Sequence, residues 1–243
     1  MPTERIKELN IKARDLDASG LVKLAFDEFG HKVSFATSLG EEDQVIMDMI
    51  ANIAPGIEVF TLDTGRLFPE TYELMAKNQK KYAQLAFKIY YPDTQNVEEM
   101  VRTKGINLFY ESVENRKLCC QVRKVEPLQR ALGGKEAWIV GLRRQQAVTR
   151  EALQAVEWDG SNKKIKFNPL YNWTLEQVRD YIKENGVDVS PLHAQGFVSI
   201  GCAPCTRAIK PGEDIRAGRW WWEAPEQKEC GLHNNPKWKA NKK

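Results

Sequence analysis

From Val33 to Arg143 short strand-like runs alternate with helix-like runs, and that alternation restricts the fold more than any other feature. "KVSFATSLG" reads as a buried strand ending in a Gly turn at Gly40. "EEDQVIMDMIANIA" reads as a helix, because Val45, Ile46, Met49, Ile50 and Ile53 recur at helical spacing behind an acidic first turn. "IEVFTLDTG" is a second strand, "PETYELMAKNQKKYA" a helix opened by Pro69, "AFKIYYP" a third strand and "NVEEMVRTKG" a third helix. "VRKVEPLQRAL" is expected to be partly helical, interrupted or started at Pro127, and "AWIVGLR" is another strand. Ahead of these, residues 5–29 form one or two amphipathic helices with Leu16, Leu21, Leu24, Ala25 and Phe29 as the apolar stripe.

Such alternation implies an α/β fold, a parallel sheet with helices on both faces. Ligands of such sheets sit beyond the carboxyl ends of the strands. The turns of interest are therefore "SLGEED", "LDTGRLF" and "GLRRQQAVTR". Past residue 160 the pattern weakens, apart from a last helix "TLEQVRDYIKENG", N-capped by Thr174 and ended by Gly186. After "SPLHAQGFVSIG" the chain reads as a mobile C-terminal tail rich in Trp, Pro and charge. Three parts are expected: N-terminal helices (1–30), an α/β domain (31–205) and the tail (206–243).

A net charge of +3 over 243 residues is too small to argue for nucleic acid. No stretch approaches the roughly eighteen apolar residues of a membrane helix. "MPTERIKELNIKARDLDASG" has no apolar core of a signal peptide, so a cytoplasmic protein is expected. There thiols stay reduced, and clustered cysteines point to metal or catalysis.

The chain has five cysteines. Cys119 and Cys120 are adjacent in "KLCCQVRK", and a bond between neighbours would close a strained ring. Cys202 and Cys205 form a C-x-x-C in "GCAPCTR". Together they supply four thiolates, the complement of a [4Fe–4S] cluster. Structural zinc also takes four thiolates, although its pairs usually come as two C-x-x-C units. A thioredoxin-like redox pair and plain buried cysteines are the other readings. His31, His193 and His233 fall in no metal-ligand spacing. Cys230, in "KECGLH", is left over: it is a nucleophile helped by Lys228 or His233, or a dispensable tail residue.

The motifs "SLGEED", "LDTGRLFPETY", "RKLCCQVRKVEPL", "VGLRRQQAVTR", "PLHAQGFVSIGCAPCTRAIKPGEDIRAGRWWWE" and "ECGLH", in this order, resemble those of the assimilatory sulfonucleotide reductases. Within that family the chain is similar to the iron–sulfur adenylylsulfate (APS) reductases, from about Val33 to His233. The resemblance implies a fold like that of the PP-loop adenine-nucleotide hydrolases. It implies reduction of APS by thioredoxin to sulfite and AMP, with one [4Fe–4S] cluster held by Cys119, Cys120, Cys202 and Cys205 and with Cys230 as nucleophile. Lys124 looks like the family lysine between cluster and substrate. Arg143 or Arg144, with Arg216 and Arg219, look like the phosphosulfate-binding arginines. Ser38, Gly40 and Asp43 in the first turn, and Asp63, Thr64 and Gly65 in the second, are expected near the nucleotide. The first turn departs from a full SGGxDS pyrophosphate loop, which suits a protein that handles a nucleotide without hydrolysing ATP.

The chemistry asks for such residues. A thiolate must approach an anionic sulfur, and guanidinium groups stay charged and bind oxyanions in a fork. Plainer roles stand beside these: arginines 143 and 144 as solvated cations, Asp63 and Thr64 as turn formers, His193 as a structural histidine, and "RWWWE" as packing for the tail or an exposed partner patch. PAPS, with its extra 3′-phosphate, is the alternative substrate. An iron–sulfur PP-loop enzyme that thiolates tRNA is a more distant one, and a cluster- or zinc-stabilised nucleotide-binding module a third. A homo-oligomer is compatible with all of them.

Overall fold

The computed structural model describes residues 2–146 and 150–224. Six strands, β1 (Val33–Thr37), β2 (Glu58–Leu62), β3 (Phe87–Tyr90), β4 (Ala137–Ile139), β5 (Val156–Asp159) and β6 (Lys164–Phe167), form one sheet. Their order is β3-β2-β1-β4-β6-β5. All neighbours pair in parallel except β5, which runs antiparallel to β6. The chain therefore steps outward from β1 to β3, then returns past β1 to add β4. The sheet reverses its direction of growth between β1 and β4, where a crevice opens at the strand ends.

The helices are α1 (Pro2–Lys12), α2 (Ala18–Phe29), α3 (Glu41–Ile53), α4 (Pro69–Lys81), α5 (Thr94–Lys104), α6 (Val113–Cys120), α7 (Glu126–Ala131) and α8 (Leu175–Glu184). Strand alternation sorts the core into two layers. Val33, Phe35, Val59, Ala137 and Ile139 point into the larger core, with α1, α2, α3, α4 and α8 supplying Leu9, Leu21, Ile46, Leu74 and Val178. Phe60, Trp138 and Val140 point to the other face, against Leu128 and Ala131 of α7. Both faces of the sheet are covered, as a buried parallel sheet requires. Leu21 and Ala25 lie in the core as the expected stripe has them, but Leu16 falls between α1 and α2 and is exposed.

Two elements differ from the sequence reading. The β5–β6 hairpin was not expected, because its residues break apolar alternation: Lys166 is buried, paired with Glu157 at 3.2 Å. Asp159 shapes its turn, accepting from the amides of Ser161 and Asn162 at 3.0 and 3.1 Å. Second, the segment around the paired cysteines is helical throughout rather than in part, although a new α-helical stretch does start beside Pro127, as one of the two expectations had it. α6 runs into a wide π-type turn, Gln121–Val125, and straight on into α7, with Pro127 in the first turn of α7. Pro127 cannot donate into the helical ladder, and it stands just past the π-type turn, where that ladder is already displaced. α8 begins as expected, with a capping box between Thr174 and Gln177.

Residues 206–224 pack onto the domain: Thr206 bridges to Arg219, and Trp220 is buried. Among the described residues no helix is long and apolar enough to cross a membrane.

Candidate functional site

The crevice between β1 and β4 opens into a cavity of about 510 Å³, within the range of small-ligand sites. Its floor is apolar, with Phe60, Leu128 and Trp138, and its rim is polar. The loop after β1 brings in Ser38, Leu39 and Gly40, and the first turn of α3 brings Glu42 and Asp43. Leu39 has φ +65°, an uncommon conformation for a branched apolar residue. It turns the chain so that Asp43 folds back on the loop, accepting from the amide and hydroxyl of Ser38 at 2.5 and 2.7 Å. Burial pushes the Asp43 carboxyl up to about 6, against the pull of those bonds. A Cβ at residue 141 would lie 2.1 Å from Asp43 Oδ1, so the end of β4 needs glycine for this approach.

Arg143 also lines the cavity. It is buried and paired with Glu42, through Nε at 2.8 Å and Nη2 at 2.7 Å. Arg144 turns the other way: it is exposed, donates to the Leu153 carbonyl at 2.8 Å and stacks on Tyr171. Thr64, Lys124, Arg216 and Arg219 line the cavity as well. Asp63 and Gly65 stand behind the wall. Asp63 accepts from the Gly65 amide at 2.7 Å and the Tyr72 hydroxyl at 2.9 Å, and so shapes the turn.

A second, smaller cavity adjoins the first and is lined by Cys119, Cys120, Cys202 and Cys205. Helical spacing puts Arg116, Cys119 and Cys120 on one face of α6. The other two thiols flank a single turn, Ala203–Cys205, held by Ala203 N donating to the Arg66 carbonyl at 2.8 Å. Lys124, Arg219 and Trp220 line both cavities. Arg66, Arg116 and Arg123 line the smaller one, which is therefore ringed by five cations.

Burial opposes ionisation of Cys202, yet Lys124, the 3.2 Å contact with Thr64 Oγ1, Arg219 and Arg123 together hold it below the usual thiol range. Burial pushes Cys205 up to about 12, and the neighbouring sulfurs of Cys202 and Cys120 add to this. Burial likewise raises Cys119. Burial thus opposes a bare thiolate at Cys119 and Cys205, whereas a positively charged metal core would favour deprotonation of its sulfur ligands. Among the described residues no group of three or more His, Cys, Asp or Glu side chains is placed to hold a single metal ion. Buried donors surround the cysteines without acceptors: Nε of Arg123, Nε of Arg219 and Nε1 of Trp220. Soft sulfur donors, a lining with five cations and, among the described residues, no carboxylate, and unsatisfied N–H groups fit an anionic iron–sulfur cluster.

Several participants were not singled out from sequence. Glu42 and Arg150 line the larger cavity, and Arg66, Arg116 and Arg123 the smaller, while Trp220, in the "RWWWE" read as tail packing or a partner patch, is buried and lines both. All lie inside the quoted motifs or beside them, but nothing in a local pattern marks which charged residue faces inward. His193 lines the larger cavity, with Nδ1 2.9 Å from the Phe197 carbonyl. Cys230 and His233 lie outside the described residues.

Residues 32–208 match the family described as Phosphoadenosine phosphosulfate reductase domain. Adenosine 5′-phosphosulfate reductase of Allochromatium vinosum is 51% identical over 83% of this chain and 78% of its own length. The protein of the same name from Sinorhizobium fredii (strain NBRC 101917 / NGR234) is 48% identical over 93% of this chain and 90% of its own. Among solved structures, the phosphoadenylyl-sulfate (PAPS) reductase of Candida auris in its phosphate complex superposes with a TM-score of 0.73. It is 34% identical, covering 84% of this chain and 97% of that one. Yeast FAD synthetase in complex with FAD, at 15% identity and a TM-score of 0.52 over 84% of this chain and 74% of its own, shares the fold.

Proposed function

Because the chain belongs to the phosphoadenosine phosphosulfate reductase family, we propose that it reduces APS to sulfite and AMP in sulfate assimilation, with thioredoxin as reductant and Cys230 as nucleophile. One observation carries the site-level reading: a nucleotide-sized cavity and a four-cysteine cavity share a wall made of Lys124, Arg219 and Trp220.

AMP is bound in the crevice at the ends of β1, β2 and β4. Lys124, Arg216 and Arg219 hold the phosphosulfate and offset its repulsion of an incoming thiolate. Arg143 reaches the ligand only by sharing or releasing Glu42. The Cys230 thiolate attacks the sulfur, the S–O bond to phosphate breaks, and AMP leaves with that electron pair. Cys230 then carries an S-sulfonate. One thiolate of reduced thioredoxin attacks Cys230 Sγ and sulfite departs with the electrons of the S–S bond. The second thioredoxin thiol resolves the mixed disulfide, returning Cys230 and leaving oxidised thioredoxin. Two electrons have passed from the dithiol to sulfur.

Cys119, Cys120, Cys202 and Cys205 would hold one [4Fe–4S] cluster. When bound it supplies structural cross-linking and fixed negative charge, while both electrons of the reaction come from the dithiol. Lys124, on the π-type turn one helical step beyond Cys120, screens that charge from the substrate.

The similarity to a PAPS reductase keeps PAPS as the second reading. Sulfite release measured with APS and with PAPS, each with reduced thioredoxin, tests both. Turnover of APS with a kcat/KM well above that for PAPS is expected. Turnover of neither, in protein that holds iron, would contradict the reading.

A further inference from the structure

We propose that Arg116 and Glu223 are positioning residues: their buried ion pair latches the 219–223 segment onto the cysteine helix and thereby sets where the Arg219 guanidinium stands between the two cavities. This rests on the reading of the site given above.

The pair is bidentate. Arg116 Nε donates to Glu223 Oε1 at 2.9 Å and Nη2 to Oε2 at 2.8 Å. Its side chains are 1% and 2% exposed. Burying two charges so fully is costly, and an apolar pair would stabilise the fold as well or better. What the ion pair adds is direction, since a planar fork meeting a carboxylate fixes both partners in angle as well as distance.

The latch closes around Trp220. The guanidiniums of Arg116 and of Arg219 each lie 4.7 Å from its ring centroid. The ring is 1% exposed, and its backbone is held at φ +42°, where a bulky residue rarely sits without outside restraint. Three hydrogen bonds supply part of that restraint: Trp220 N to the Cys205 carbonyl at 3.2 Å, Glu223 N to the Trp220 carbonyl at 2.9 Å, and Arg219 N to the Arg216 carbonyl at 3.0 Å. The Thr206–Arg219 bridge adds to it at the near end, and the Arg116–Glu223 pair holds the far end of the segment.

Arg219 is thus gripped from outside. Its own bond to the protein is weak, Nη1 to the Ile200 carbonyl at 3.5 Å, and its Nε has no acceptor. A side chain with so little of its own to hold depends on the ring it lies against. Arg116 shares a helical face with Cys119 and Cys120, so a change at the cysteines reaches Arg219 through the latch.

The test compares wild type with Glu223→Gln, which keeps the shape and Arg116 but removes the negative charge, and with Glu223→Asp, which restores it on a shorter stem. In Glu223→Gln, iron content and AMP affinity should stay within about twofold while kcat/KM for APS falls at least about tenfold. Backbone hydrogen exchange at 219–223 should quicken while exchange in the sheet does not, and Glu223→Asp should recover part of both losses. Should Glu223→Gln fail to fold, Arg116→Met with Glu223→Leu replaces the pair by apolar bulk. Stable protein with the same selective loss supports the latch, and stable protein with wild-type kcat/KM overturns it. Equal loss for AMP and APS, or unaltered exchange at 219–223, also overturns it. Failure of wild type itself to reduce APS would sink the functional reading instead, and the exchange data would still decide the latch.

Discussion

Replacing Gly201 by alanine perturbs Arg219 without touching its charge. A Cβ at residue 201 would lie 2.4 Å from Arg219 Nη2, 2.6 Å from Cζ and 2.8 Å from Nη1. Non-bonded heavy atoms rest about 3.5–4.0 Å apart, so the guanidinium must retreat by about 1 Å. Retreat is resisted, because Arg219 is 9% exposed and packed on Trp220. The clash is with the far end of a flexible side chain, so the cost to stability stays at the low end of the overpacking range, about 1 kcal/mol, and falls mainly on where the guanidinium stands. Misplacing a charge-stabilising group by about 1 Å costs up to about a hundredfold in rate, so kcat/KM for APS should fall between about ten- and a hundredfold. AMP affinity should change far less, since AMP carries no sulfate for Arg219 to hold. The assay is steady-state sulfite release, repeated in an Arg219→Ala background. There the methyl has room, and Gly201→Ala should add almost nothing. Residues in contact show coupling of about 0.5–3 kcal/mol, and additive costs across the two backgrounds would refute the account of this contact.

Further outcomes follow from other parts of the site. Protein purified without oxygen should hold iron and labile sulfide, with broad absorbance near about 400 nm, and Cys202→Ser should lose both; bound zinc with no iron would refute the assignment. Asp43 keeps its proton up to about pH 6 in the native state, against 3.8 as its ordinary value. Native protein therefore binds the extra proton between these values, and stability falls as pH rises through that window, by about 3 kcal/mol in total. Asp43→Asn should lack that slope when urea unfolding is followed from pH 4 to 7, and parallel curves would refute the burial argument. Arg144→Ala should leave kcat/KM within about threefold of wild type, because Arg144 faces Tyr171 and Leu153 rather than the cavity; a loss as large as that of Arg219→Ala would contradict that placement.

The parallel core was legible because β1, β2 and β4 are short apolar runs buried on both faces, and periodicity reports burial. The β5–β6 hairpin was not, since Lys166 and Glu157 satisfy each other inside the edge of the sheet. Pattern reading takes such charges for solvent-facing. Lys124 was legible from its spacing after Cys120 combined with the family motif, and it lies on the wall between the cavities. Arg143 and Arg144 are indistinguishable as adjacent letters. They part only because the chain turns between them, aiming one at Glu42 and the other at Tyr171. The pairing of Arg116 with Glu223 had no local signal: both lie inside the quoted motifs, but they are far apart in sequence, and each alone reads as an ordinary surface charge.

In the proposed mechanism a single thiol, Cys230, takes the sulfonate from the nucleotide. Wild-type protein given APS without any reductant should stop after the first displacement. Intact and peptide mass spectrometry should then find one added SO₃, about 80 Da, on the peptide holding Cys230, as a covalent intermediate demands. The adduct should disappear as sulfite is released on adding reduced thioredoxin, and Cys230→Ser should form none while keeping its iron. An adduct on any other cysteine, or normal turnover by Cys230→Ser, would contradict the account.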